Sequence, residues 1–278
     1  HKITNKSNAP PPLELEAKTT YFDDHKHCWV TRVTVDPREV AEHHAKPWKA
    51  IWCGGTAEEK ENELEVCRRT RRTILEQAEN YAEQADIDAA AIRRALREFS
   101  TNTAVRAGDI PFRDVGLLPD CALESLGDVM RLSLAWLAVP KQDLLAVMVL
   151  LGKPRGGSRT ITILPSHYRI MMRTLGPRLQ QWDEAEARCF DTAVRGSSAL
   201  KAQMRRSWEL EIADAQGDKG IEFLWDMAKF YDTIQLEPLA EQLVEHGYPP
   251  HLMVMGMVEH RCPRIFKVGS TLSSLLSD

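Results

Sequence analysis

One stretch limits the folds open to this chain more than any other. Residues 144–151 read Leu-Leu-Ala-Val-Met-Val-Leu-Leu, apolar on both faces of an extended strand and too short for an independent helix, so they predict a buried strand. Lys153, Pro154, Arg155, Gly156 and Gly157 follow, and then Arg159, Ile161 and Ile163 alternate with Thr160, Thr162 and Leu164. A turn-rich segment between two strand-forming runs specifies a β-hairpin, here with a basic, glycine-containing tip.

The rest of the chain supplies mostly helices. Thr56 and Glu59 form a capping box, and Leu64, Cys67, Ile74, Leu75, Ala78, Tyr81, Ala82 and Ala85 then recur at helical spacing with charges between them, which predicts a long amphipathic helix. Asp86 and Asp88 interrupt it and start a second helix with Ile92, Ala95, Leu96 and Phe99 on one face. Turn residues, including Gly108 and Asp109, fill residues 100–119. Asp120 is expected to cap a helix with Leu123, Leu126, Val129, Met130 and Leu134 inward, and residues 136–143 to form a loop. Ser166 should cap a helix through Tyr168, Met171, Met172 and Leu175, with another helix over 198–215. Residues 221–225 read as a second buried strand ending in Asp226. Pro238, Leu239, Leu243 and Val244 predict a helix stopped at Gly247; a helix over 251–260 and a strand over 264–268 complete the reading. Helices with separated hairpins and no βαβ repeat define an α+β chain. Residues 1–55, which carry Pro10, Pro11 and Pro12 and no sustained apolar period, are expected to be a loosely ordered lead-in; residues 56–99 form a helical segment and 100–278 the main domain.

Charge and cysteine usage narrow the function classes. A net charge of −4 with pI near 6.2 argues against a chain-wide polyanion binder, so any nucleic-acid contact must come from a local surface. Such a surface is available between residues 151 and 210, where eleven basic residues face five acidic ones. The six cysteines are scattered with no C-x-x-C pair, which predicts an intracellular, reducing setting in cytoplasm or nucleus. No apolar run approaches the roughly 20 residues that span a bilayer, so no membrane partner is expected. His25, His27, Cys28, His43 and His44 lack the spacing of a structural zinc site. Ser166, His167 and Asp183 have no nucleophile elbow around the serine and make no hydrolase triad. The start at His1 and the finish after a Ser-Leu-rich stretch at Asp278 read as cuts in a longer protein.

A carboxylate at the end of a buried strand is costly unless it is paired, and a divalent cation is a common partner. Asp226 occupies that position and heads the run Asp226-Met227-Ala228-Lys229-Phe230-Tyr231-Asp232-Thr233-Ile234. This run resembles motif A of reverse transcriptases of the non-LTR retrotransposon type at Asp226, Lys229, Tyr231, Asp232 and Ile234. Upstream, Leu151-Gly152-Lys153-Pro154-Arg155-Gly156-Gly157-Ser158-Arg159-Thr160-Ile161 is similar to the fingers hairpin of that family, and Ala107-Gly108-Asp109-Ile110 to its short glycine-aspartate element. The three stand in family order, and the resemblance covers about residues 90–278.

The resemblance implies a fingers region, with its β-hairpin, and an incomplete antiparallel palm sheet. It also implies metal-dependent nucleotidyl transfer from deoxynucleoside triphosphates onto a DNA primer along an RNA template. Asp226 would be the catalytic metal ligand for Mg2+ or Mn2+, and Lys153, Arg155 and Arg159 would cradle the triphosphate. Tyr231 would lie against the sugar and exclude a ribose hydroxyl, whereas by residue type alone Tyr231 and Phe230 would be core aromatics. Asp232 is expected to make a structural hydrogen bond and Lys229 a surface contact. Phe230 and Thr160 depart from the family pattern, and no Tyr-x-Asp-Asp hairpin follows Asp226. The chain alone is therefore expected to be inactive. The alternative is a non-enzymatic RNA-binding helical module or a decayed retroelement remnant that binds through residues 151–210.

Overall fold

The computed structural model of the chain describes residues 17–77, 87–152, 158–187, 198–221 and 233–276. Two strands, β1 (Ala17–Asp23) and β2 (Cys28–Thr34), pair antiparallel as a sheet of their own. Helix α1 (Pro37–Trp52) follows, started by the Asp36 side chain, which accepts from the Arg38 N–H at 2.8 Å, and by Pro37 in the first turn. From Ala17 on, the expected lead-in is thus two strands and a helix. The apolar stripe of α1, Val40, Ala41, Ala45, Trp48 and Trp52, is built of small and aromatic residues, which a search for aliphatic periodicity passes over.

Helix α2 (Ala57–Gln77) opens with the predicted capping box: Glu59 N–H donates to Thr56 Oγ1 at 3.1 Å and Thr56 N–H donates to Glu59 Oε2 at 2.7 Å. Helix α3 (Ala89–Arg97) is capped by Asp88 and buries Ile92, Ala95 and Leu96. After the short α4 (Phe112–Val115) comes α5 (Asp120–Trp136), which buries Leu123, Met130 and Leu134. Two expectations for α5 are corrected. Val129 is exposed, and Asp120 does not cap the helix but accepts from Arg93 Nε and Nη2 at 3.0 and 2.7 Å, joining α5 to α3.

A 3-10 turn at Lys141–Asp143 leads into β3 (Ala146–Gly152), which pairs antiparallel with β4 (Ser158–Ile163) from Val147↔Ile163 to Gly152↔Ser158. The predicted hairpin is therefore present. Helices α6 (Ser166–Thr174), α7 (Gly176–Glu186), α8 (Ala199–Ala215), α9 (Leu236–Glu245) and α10 (Pro250–His260) follow, then β5 (Arg264–Val268) and β6 (Thr271–Leu276). The Ser-Leu-rich stretch, left without an element in the sequence reading, contains β6.

The strand order β4-β3-β5-β6 includes a parallel pair, β3 with β5, from Ala146↔Arg264 to Val149↔Lys267. The expected separate hairpins and antiparallel sheet are instead one mixed sheet. Among the described residues of 164–263 five helices lie between β4 and β5, and so long a connection lets β5 return alongside β3 in the same direction. Helix α1 covers one face, packing Val40, Ala41 and Ala45 against Met148, Leu150, Phe266 and Val268. Arg264 lies over the Trp52 ring at 4.2 Å, and Glu42 accepts from the Ser274 hydroxyl at 2.9 Å, which ties the helix to β5 and β6. The other face of β3, Val147, Val149 and Leu151, is half-buried rather than fully buried as the sequence predicts.

The larger core lies among the helices, where Ile92 and Leu96 of α3, Leu123, Met130 and Leu134 of α5, Tyr168 and Met171 of α6, and Leu252 and Met255 of α10 pack together. The molecule is a helix-rich α+β protein with a small hairpin and a mixed sheet. Among the described residues no helix is long and apolar enough to cross a membrane.

Candidate nucleic-acid interface

The predicted site residues fall on both sides of what is described. Arg159 is the second residue of β4 and stands opposite Leu151 in the register. Lys153, Arg155, Asp226 and Tyr231 lie outside the described residues, as do Lys229, Phe230, Asp232 and all of the predicted 221–225 strand except Ile221, which is exposed. What the structure does describe is the ground on which the hairpin stands.

That ground is a buried polar network. Arg106 forms a fork on Asp109, Nε to Oδ2 at 3.1 Å and Nη2 to Oδ1 at 3.0 Å, and also donates to Asp143 Oδ1 at 3.2 Å and to the Leu145 carbonyl at 2.7 Å. The three side chains are 9%, 16% and 7% exposed. Asp109 Oδ2 accepts the Ser166 N–H at 2.9 Å, so the first turn of α6 is satisfied by Asp109. Ser166 is consequently the first residue of α6 and not its predicted cap. His167 Nδ1 lies 3.1 Å from Asp143 Oδ2, within ion-pair distance but off the line of a hydrogen bond. One arginine and two aspartates thus join the segment before α4, the start of β3 and the start of α6. Burial opposes charge at Arg106, but the Asp109 and Asp143 carboxylates outweigh it and raise the guanidinium above its usual range. At Asp109 the bonds from Arg106 and Ser166 outweigh burial and lower the carboxyl.

Glu259 of α10 lies against the same region. It is 3% exposed; Oε2 is 3.9 Å from the Cys262 thiol, and Oε1 has no hydrogen-bond partner among the described residues. Burial first and the Asp143 carboxylate second push its carboxyl up to about 7, so it is largely protonated at mildly acid pH.

The basic 151–210 region divides by environment. On α8, Arg205 pairs with Glu209 at 2.8 Å and Arg206 donates to Gln203 at 2.9 Å, the arrangement of a solvated helix face. On α6, Arg169 and Arg173 border a groove of about 540 Å³ between the end of α3 and the α6–α7 junction, with Phe99, Thr103 and Leu179 among its lining. Arg169 lies 4.7 Å from the Phe112 ring centroid, and Arg173 lies 5.2 Å from that of Phe99. The two rings stack at 3.9 Å. Sequence reasoning marked Phe99 only as core and did not single out Arg106, Asp143, Glu259 or Phe112. The Arg-x-x-Asp spacing of Arg106 and Asp109 was the one signal available.

A Tyr-x-Asp-Asp sequence does occur at Tyr21, Phe22, Asp23 and Asp24, ahead of the hairpin instead of after Asp226. There Asp23 Oδ1 accepts from the His25 and Lys26 N–H groups at 3.0 and 3.1 Å, closing the β1–β2 turn. Among the described residues no three His, Cys, Asp or Glu side chains are grouped to hold a metal ion. No protein-family model matches the chain, and no curated protein matches it either.

Proposed function

We propose that this chain is the fingers and early palm of a retroelement RNA-directed DNA polymerase, acting on an RNA template, a DNA primer and deoxynucleoside triphosphates with Mg2+ or Mn2+. The observation that carries the reading is the register of β3 with β4. It closes from Gly152↔Ser158 and sets Arg159 at the start of the return strand, so the Lys-Pro-Arg-Gly-Gly segment connects two paired strands as the resemblance requires. The buried Arg106–Asp109–Asp143 network supports it by giving that hairpin a fixed base.

In this reading Asp226 holds a divalent ion, and Arg159, Lys153 and Arg155 take the triphosphate oxygens. Tyr231 closes the sugar site against a 2′-hydroxyl. The ion supplies Lewis-acid stabilisation of the attacking and leaving oxygens when bound; the protein's own contribution is to fix the phosphates and exclude the wrong sugar. In-line displacement with about two ions needs several carboxylate oxygens in fixed geometry, and no second carboxylate hairpin follows Asp226 in these residues. Labelled dTTP should therefore be retained by the chain in a Mn2+-dependent way that Asp226→Asn abolishes, while primer extension stays at background. Retention indifferent to Asp226→Asn would overturn the role of Asp226. Template-dependent incorporation by the 278-residue chain would overturn the incomplete-site argument, and Tyr231→Ala should then relax discrimination against ribonucleotides.

A further inference from the structure

The groove beside α6 combines features that are rarely found together on a solvated surface. Its floor is aromatic and aliphatic, and its two bordering cations lie within cation–π distance of the aromatic pair, Arg169 over both rings and Arg173 over Phe99. Arg169 is half-buried, its guanidinium pinned by a 2.6 Å bond to the Ala104 carbonyl, and Arg173 is held by Glu98 at 3.2 Å. Each guanidinium uses only one terminal nitrogen in these bonds. The groove thus sets two tethered cations beside Phe99, which stacks on the buried Phe112, and donors are left over to meet an incoming anion.

Charge selects the ligand. Among the described residues the cations that line the groove are Arg169 and Arg173, set against the one lining carboxylate, Glu98, which holds Arg173. Both cations are arginine, the side chain whose planar fork both stacks on flat rings and grips phosphate through two donors. A neutral aromatic ligand would leave the charge unused, and an inorganic anion would leave the rings unused. A strand of unpaired nucleotides uses both, because every base has a π-face and every linkage a phosphate. A volume of about 540 Å³ falls within the range that takes one small-molecule-sized group.

We propose that this groove seats single-stranded nucleic acid, with one unstacked base lying against Phe99 and Arg173 and the adjoining phosphates held by Arg169 and Arg173. The proposal rests on the nucleic-acid reading above but uses none of its active-site residues.

The test is fluorescence anisotropy of the 278-residue chain with labelled 12-nucleotide RNA and DNA single strands of the same sequence. It is joined by photocrosslinking with 5-iodouridine placed along the strand, read by mass spectrometry of the peptides. Arg169→Gln and Arg173→Ala should each weaken binding about fivefold, and Lys201→Ala with Arg205→Ala on α8 should leave it unchanged. The double variant Arg169→Lys, Arg173→Lys keeps the charge and loses the flat faces, so it too should lose severalfold while its circular dichroism and melting match the parent. Crosslinks should fall on the Phe99–Thr103 or Arg169–Arg173 peptides. Equal affinity for RNA and DNA supports a seat that reads base and phosphate; tighter RNA binding supports one that also meets the 2′-hydroxyl. Undiminished binding in Arg169→Gln with Arg173→Ala, or a double-lysine variant that binds like the parent, overturns the proposal. If binding is lost instead on changing Lys153 and Arg159, the groove fails and the polymerase reading stands. If the groove binds but Asp226→Asn leaves Mn2+-dependent dTTP retention intact, the polymerase reading fails and the groove stands.

Discussion

Two hairpins in this molecule share a connectivity and differ in everything around it. Among the described residues β1–β2 is a two-stranded sheet by itself, with Trp29, Val33, Tyr21 and Phe22 exposed. β3–β4 is half of a four-stranded sheet, with Ala146, Met148 and Leu150 buried. Each has an arginine–carboxylate pair at its foot. The pair beside β1–β2, Arg32 with both Glu39 oxygens at 2.9 Å, is 63% and 45% exposed, whereas Arg106 with its two aspartates is almost fully enclosed. Distances alone would rank the pairs as equals. Burial separates them, because a charge removed from water depends on its partner and a charge in water does not. The difference teaches that β3–β4 is held as part of the core, while β1–β2 is held mainly by its own ladder.

The largest effect that tests this contrast is Arg106→Ala. It leaves Asp109 and Asp143 without their cation in the interior and should cost about 3–5 kcal/mol, measured by urea unfolding, whereas Arg32→Ala should cost less than about 1 kcal/mol. Comparable losses at both sites would break the comparison. Next, Leu150→Ala in β3 removes a side chain that is 2% exposed and packed under α1, for about 3 kcal/mol including the cavity. Val33→Ala in β2 should be near neutral.

Glu259 sharpens the comparison through pH. Its carboxyl, raised by burial and then by Asp143, titrates at about 7 in the folded chain against an ordinary 4.5. The folded state therefore holds the proton more tightly than the unfolded state does. The stability this contributes is fully present below pH 4.5 and is lost as pH rises to about 7, on the order of 2–3 kcal/mol. Glu259→Gln should remove that decline, so that the variant melts higher than the parent at pH 8 and close to it at pH 4.5. A parent whose melting temperature does not fall over this interval would show that Glu259 is not shielded from water as the packing implies.

The legible parts of the fold were those written in local chemistry. The Thr56–Glu59 capping box, Asp88, Ser198 and the hairpin at residues 144–164 each announce themselves within a few residues. Helix α1 was hidden by its alanine and tryptophan stripe, and the parallel pairing of β3 with β5 by a separation of more than a hundred residues. Asp120 and Ser166 looked like caps because their types favour that position, yet Asp120 binds Arg93 and the start of α6 is served by Asp109 from another segment. The buried network was the least legible. Arg106, Asp143 and Glu259 come from three distant places and meet only in the folded chain, and polar residues without periodicity look like loop in a sequence.

The smallest expected effect is the one that isolates β1–β2 most cleanly. Trp29 is 71% exposed and meets Phe22 edge-on, with ring centroids 5.6 Å apart. Such a pair is worth about 0.5–1.5 kcal/mol, and a two-stranded hairpin without a third strand is marginal in water. Trp29→Ala should therefore loosen this hairpin while leaving the rest of the molecule in place. Global melting should shift by no more than a degree or two, because neither the core among the helices nor the one between α1 and the sheet includes Trp29. Amide exchange in β1 and β2 should accelerate severalfold, with protection in β3 and β5 unchanged. If Trp29→Ala lowers global stability by more than about 2 kcal/mol, a loss typical of core truncation, then β1–β2 is coupled to the main core and the two hairpins are alike after all.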